Sequence, residues 1–139
     1  MSALAAALVW LAAAAQADDA ARYGEIRRLI NANRHLSAHL VRAVDARTIK
    51  AVREKISQKD LPVLVRMMGD EDYGVASAAS GLAATLGEAA RPALAQATRG
   101  RDLALAGQAR DALDLLDRCA ADPQRITMNA DVCPRQKAR

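Results

Sequence analysis

Apolar residues recur at intervals of three and four along most of this chain, a spacing that predicts helices from end to end. Tyr23, Ile26, Leu29 and Ile30 define a helix from Arg22 to Asn31, which Asn31 and Asn33 interrupt. A second periodic stretch carries Leu36, Leu40 and Val44. Asp45 is placed to cap a further helix, with Ile49, Val52 and Ile56 as its apolar stripe. Asp60 is expected to cap the next helix, whose early Pro62 needs no intrahelical N–H partner. Val63, Leu64, Val65, Met67 and Met68 make that helix apolar nearly all round, as burial on most sides requires, and Gly69 ends it. Asp70, Glu71 and Asp72 form a turn, Val75 to Leu86 a return helix, and Gly87 its stop. A shorter helix runs from Pro92 to Thr98, turns at Gly100, Arg101 and Asp102, and returns from Leu105 to Asp117. The tail beyond Cys119 has two prolines and few apolar residues, and reads as irregular.

These last four helices form two copies of one pattern, held at a constant offset. Pro62 matches Pro92, Leu64 matches Leu94, Asp72 matches Asp102, Val75 matches Leu105, Ala79 matches Ala109 and Leu86 matches Leu116. Ile49, Val52 and Ile56 stand one such offset before Ala79, Leu82 and Leu86, so the phase reaches back to an earlier, incomplete unit. A fixed period of this length is the mark of a helical repeat array, in which each unit buries its apolar face only against its neighbours.

The pattern resembles the HEAT repeat family on Pro62, Leu64, Asp72, Val75, Ala79, Leu82 and Leu86, and again on Pro92, Leu94, Asp102, Leu105, Ala109, Ala112, Leu113 and Leu116. The resemblance covers Asp60 to Asp117, and Asp45 to Ile56 in part. It implies an all-α short solenoid of antiparallel helix pairs, about two and a half repeats with N-terminal capping helices. It also implies a protein-binding surface and no activity. Many family members have an Arg beside the turn Asp, at positions held here by Ala76 and Ala106, so an inter-repeat Asp–Arg ladder is not expected.

Residues 1–17 carry no charge, run apolar from Ala3 to Ala15, and end in Ala15-Gln16-Ala17. That is the form of a secretory signal cleaved after Ala17, although no basic residue precedes the apolar run. The run is short for a membrane span, so the mature chain is expected to have none. The domain then covers 18–118 and the tail 119–139. Cys119 and Cys133 are expected to form one disulfide in the periplasm or outside the cell; two free buried thiols are the alternative if the chain is not exported.

The chain has no Phe, so its core must be built from Leu, Val, Ile, Met and Ala, each burying modest area. Charge is uneven. Residues 22–59 hold ten basic and three acidic residues, and residues 60–118 six basic and nine acidic. A basic half meets acidic proteins, membranes or nucleic acid, or is simply a solvated face. Export and the lack of aromatics for stacking argue against nucleic acid.

Candidate chemistry is sparse. His35 and His39, four apart on an expected helix, place two imidazoles on one face and suggest a small metal-binding protein as the alternative function. The Asp70–Asp72 cluster lacks the alternating ligands of a calcium loop. Neither a G-x-S-x-G elbow nor a Gly-rich phosphate loop is present, so no cofactor and no enzyme is expected.

The helix from Val75 to Leu86 places Ser77, Ser80, Gly81 and Ala84 opposite its apolar stripe. An exposed face normally carries long charged side chains. This bare strip, flanked by Arg47, Lys50, Ala51 and Glu54 and by Gly107, Arg110, Asp111 and Asp114, is the expected docking surface for another protein. The competing readings are cover by the chain's own N-terminal helix, or an inert Ala-rich surface.

Overall fold

The computed structural model describes residues 3–34, 46–122 and 132–134. They form six α-helices and, among the described residues, no strand: α1 (Ala3–Asn33), α2 (Ala46–Arg53), α3 (Leu61–Met67), α4 (Tyr73–Thr85), α5 (Arg91–Ala97) and α6 (Leu103–Ala121). Single 3-10 turns at Gln58–Asp60 and Glu88–Ala90 lead into α3 and α5. The turn, the short helix and the start of the long helix all recur at the offset that relates Pro62 to Pro92, so the period in the sequence is a period in the backbone.

Local chemistry sets these boundaries. Pro62 and Pro92 lie in the first turn of α3 and α5, where the missing N–H has no partner to lose. Asp72 caps α4 from an extended backbone, accepting from the N–H groups of Gly74 at 2.9 Å and Val75 at 3.3 Å. Asp102 caps α6 in the same way, accepting from Leu105 N–H at 3.0 Å. Asp60 does not cap α3. Its backbone is already helical, and its carboxylate turns back to accept from Ser57 N–H at 2.9 Å.

The helices pack in two rows. α2, α4 and α6 touch in sequence along one row, α1, α3 and α5 along the other, and α1 lies on α2, α3 on α4 and α5 on α6. One core runs between the rows, with Ile26, Ile30, Leu64, Met67, Met68, Val75, Leu82, Leu94 and Leu116 at its centre.

Several helix boundaries differ from those the periodicity predicts. α1 begins at Ala3, well before Arg22, while its end at Asn33 falls where Asn31 and Asn33 were expected to interrupt it, Asn33 donating to Leu29 C=O at 2.8 Å. α4 and α6 begin two residues earlier than expected, since the Asp caps set the start rather than the first apolar residue, and α6 continues to Ala121. Leu36, Leu40, Val44 and the expected cap Asp45 lie outside the described residues.

Candidate functional site

The strip expected to be bare is largely an internal seam. Ser80 and Ala84 are buried, and Ser80 Oγ donates to Gln108 C=O of α6 at 2.7 Å. Gly81 faces the other way, where a Cβ would come within 2.9 Å of Ile49 Cδ1 of α2. The cover is therefore α2 and α6, not the N-terminal helix. A helix in the middle of a row has neighbours on both flanks, and small side chains are what let the backbones close up. Of the four strip residues, only Ser77 and Gly81 keep partial exposure. The charged residues assigned beside the strip stay outside: Arg47, Lys50 and Arg110 are exposed, Arg110 reaching Thr98 C=O at 3.4 Å.

The basic character of α1 is used within the molecule. Arg22 donates to both oxygens of Asp60 at 2.8 and 3.0 Å, and to Lys55 C=O at 2.7 Å. Arg27 and the Tyr23 hydroxyl converge on Asp70, the latter at 2.6 Å. Arg34, just past the end of α1, grips Asp72 through two bonds of 2.8 and 2.9 Å. A Cβ on Gly74 would collide with the Arg34 guanidinium, so the glycine is what leaves room for it. The Asp–Arg pairing that Ala76 rules out along the row is thus supplied from α1.

These contacts shift the acids together. Arg34, with the capping N–H groups, holds the Asp72 carboxyl at about 2. Arg22 and Ser57 N–H hold Asp60 below the usual carboxylate range. Burial works against Asp70, yet the Tyr23 hydroxyl, Asp72 N–H and Arg27 outweigh it and hold this group low as well. Burial, then the bond to Asp70, pushes the Tyr23 hydroxyl up to about 12.

At the opposite end Cys119 and Cys133 form a disulfide, with Cα atoms 5.7 Å apart. It returns Val132, Cys133 and Pro134 to the body of the protein. Cys133 is fully buried, Val132 packs on the core, and Pro134 walls a polar recess of about 410 Å³ beside Ser57, Gln58, Thr85 and Leu86. A second, mostly apolar recess of about 350 Å³ lies between α3 and α5, over Leu61, Pro62, Val65 and Ala97. No described residues gather three potential metal ligands, and His35 and His39 lie outside the described residues.

Sequence reasoning missed one surface pair. Beyond α1, the large exposed hydrophobics among the described residues are Tyr73, 57% exposed, and Leu103, 81% exposed. They are the first residues of α4 and α6, one repeat apart, on adjacent helices of one row. Their equivalence was visible in the repeat; their exposure was not, because it depends on where the Asp caps start the helices.

In the first half of α1 the described side chains from Ala5 to Asp18 are exposed, Trp10 at 78% among them. No helix among the described residues is long and apolar enough to cross a membrane. No family model, curated protein or solved structure matches the chain.

Proposed function

We propose that this chain is a non-catalytic protein-interaction module, exported to the periplasm or beyond and built as a short HEAT-like array. The observation that carries the reading is the exposed pair Tyr73 and Leu103. A single exposed apolar side chain needs no explanation. The same placement in two successive units gives a partner two apolar footholds separated by one helix spacing, about 8–10 Å. Three residues of extended chain span about 10 Å, which suits a linear segment crossing the row. Arg47, Lys50 and Arg110 stand exposed on the same row and suit acidic groups flanking such a segment. Processing after Ala17 is compatible with the packing, because no described side chain up to Asp18 is buried. The remaining helix would then begin with Asp18 and Asp19, favourable charges at a helix N-terminus. The disulfide is compatible with an oxidising compartment.

A photoreactive side chain placed at 73, and separately at 103, in the host cell tests the reading. Both positions should crosslink to the same protein. Absence of any crosslink from either position, with export and disulfide intact, would refute it.

A further inference from the structure

We propose that the Cys119–Cys133 disulfide is a brace that fixes the junction between the α3–α4 and α5–α6 units. The two inter-unit junctions are equivalent in the repeat and differ in chemistry. Before α3 the junction residue is Ser57, with an ordinary extended φ of −131°. It is held by the Asp60 carboxylate, which accepts Ser57 N–H and is itself gripped by Arg22. Before α5 the junction residue is Gly87, whose φ of +85° lies in the region glycine alone enters freely. The residue matching Asp60 here is Ala90, which has no carboxylate to close the turn. Glu88 accepts two bonds from Arg91, at 2.7 and 3.0 Å, and Arg91 also reaches Asp117 at 2.9 Å. That clip lies on the α5–α6 side of the glycine, so a change of angle at Gly87 still changes the angle between units.

The strap supplies what is missing. The Pro134 ring lies 3.5 Å from the point a Cβ of Gly87 would occupy, an ordinary packing distance that fills the hinge's open side. Pro134 is held there by Cys133, fully buried and bonded to Cys119 in the last turns of α6, and by Val132 on the core. On the far side Gln58 donates to Leu86 C=O at 2.8 Å, joining the turn before α3 to the end of α4. The bond therefore acts on a hinge that precedes the whole of α5 and α6 in sequence, and not merely on its own tail.

Hydrogen exchange on the full chain, read by NMR, tests this. The reporters are the amides of Gly87 and Ala90, which donate to Ala84 C=O and Gly87 C=O, each at 3.0 Å. The control is the Asp60 amide, which donates to Ser57 C=O at the other junction. Cys119→Ser with Cys133→Ser should speed exchange several-fold at Gly87 and Ala90 and leave Asp60 unchanged. Pro134→Gly, with the disulfide intact, should do the same, and it decides the matter alone if the serine variant fails to fold. Acceleration confined to Arg118–Ala121 would show that the bond only closes its own loop and would overturn the proposal. Equal acceleration at Asp60, or no response to Pro134→Gly, would overturn it too.

Discussion

Asp60, Asp70 and Gly74 of the α3–α4 unit become Ala90, Gly100 and Ala104 in the α5–α6 unit, while Asp72 remains Asp as Asp102. The pattern separates two kinds of position. Asp72 and Asp102 start a helix, a need intrinsic to each unit. Asp60, Asp70 and Gly74 serve α1: two carboxylates meet Arg22 and Arg27, and the glycine clears space for Arg34. The second unit has no α1 against it and has lost all three. Its interior differs as well. Val63, Val65, Met67 and Met68 are matched by Ala93, Ala95, Ala97 and Thr98, and Leu94 is the one buried residue of α5. One unit is secured by side-chain volume and charged contacts with α1. The other is thin, its charged contacts being the surface bonds of Arg91 to Glu88 and Asp117, and it is secured by a disulfide, the usual remedy where a core is too small to hold its own ends.

Truncation at equivalent core positions should break this comparison most sharply. Leu64 and Leu94 are both fully buried. Leu64→Ala should cost about 2–5 kcal/mol, spread over the whole molecule, because it shares the common core with Val63, Met67 and Met68. Leu94→Ala removes the one fully buried side chain of α5, leaving Ala97 and the surface Arg91–Asp117 pair, and should let that helix detach before the rest unfolds. Urea unfolding is expected to keep its slope in the first variant and to broaden in the second. Equal slopes and equal losses would mean that the two units are fastened alike.

Acid is the next lever. Asp60, Asp70 and Asp72 are all held below their ordinary values, Asp72 at about 2. Groups with depressed folded values contribute stability that is complete above about pH 4 and is lost as pH falls toward 2. The loss should fall on the contact between α1 and the α3–α4 unit. Exchange of the α1 amides around Ile26 and Ile30 should rise over that window, ahead of those in α6. An α1 that stays protected until the whole molecule unfolds would show that apolar burial, not charge, secures it.

Much of this architecture was legible. The constant offset between matched residues located the helices from α3 to α6 and the apolar stripe of α4, and the two cysteines located the disulfide. The bare strip was misread because a helical wheel carries no information about lateral neighbours. Ser80 and Gly81 lack charge because α6 and α2 flank α4, not because a partner does. The contacts of α1 were half legible. The excess of basic residues in 22–59 and the acids at 60, 70 and 72 were plain, yet each pair joins residues far apart in sequence and no local period encodes it. A comparison of the two units position by position was the available signal, since Ala90 and Gly100 mark those acids as particular to one unit.

Gly74 offers the finest test, because its effect should change sign. A glycine inside a helix is ordinarily about 1 kcal/mol less favourable than alanine, and the matching residue of α6 is Ala104. In the native chain Gly74→Ala should bring no such gain, since the new methyl group would displace the Arg34 guanidinium from Asp72. The side chain is flexible and partly exposed, so the net change should lie within about 1 kcal/mol of zero, on the destabilising side. In an Arg34→Ala background the obstruction is gone, and the same substitution should stabilise by a few tenths of a kcal/mol up to about 1. Thermal unfolding of the four proteins of this cycle gives a coupling energy between the two sites. A coupling near zero would mean that Gly74 is not there for Arg34. The exchange of Gly74 for Ala104 between units would then say nothing about α1.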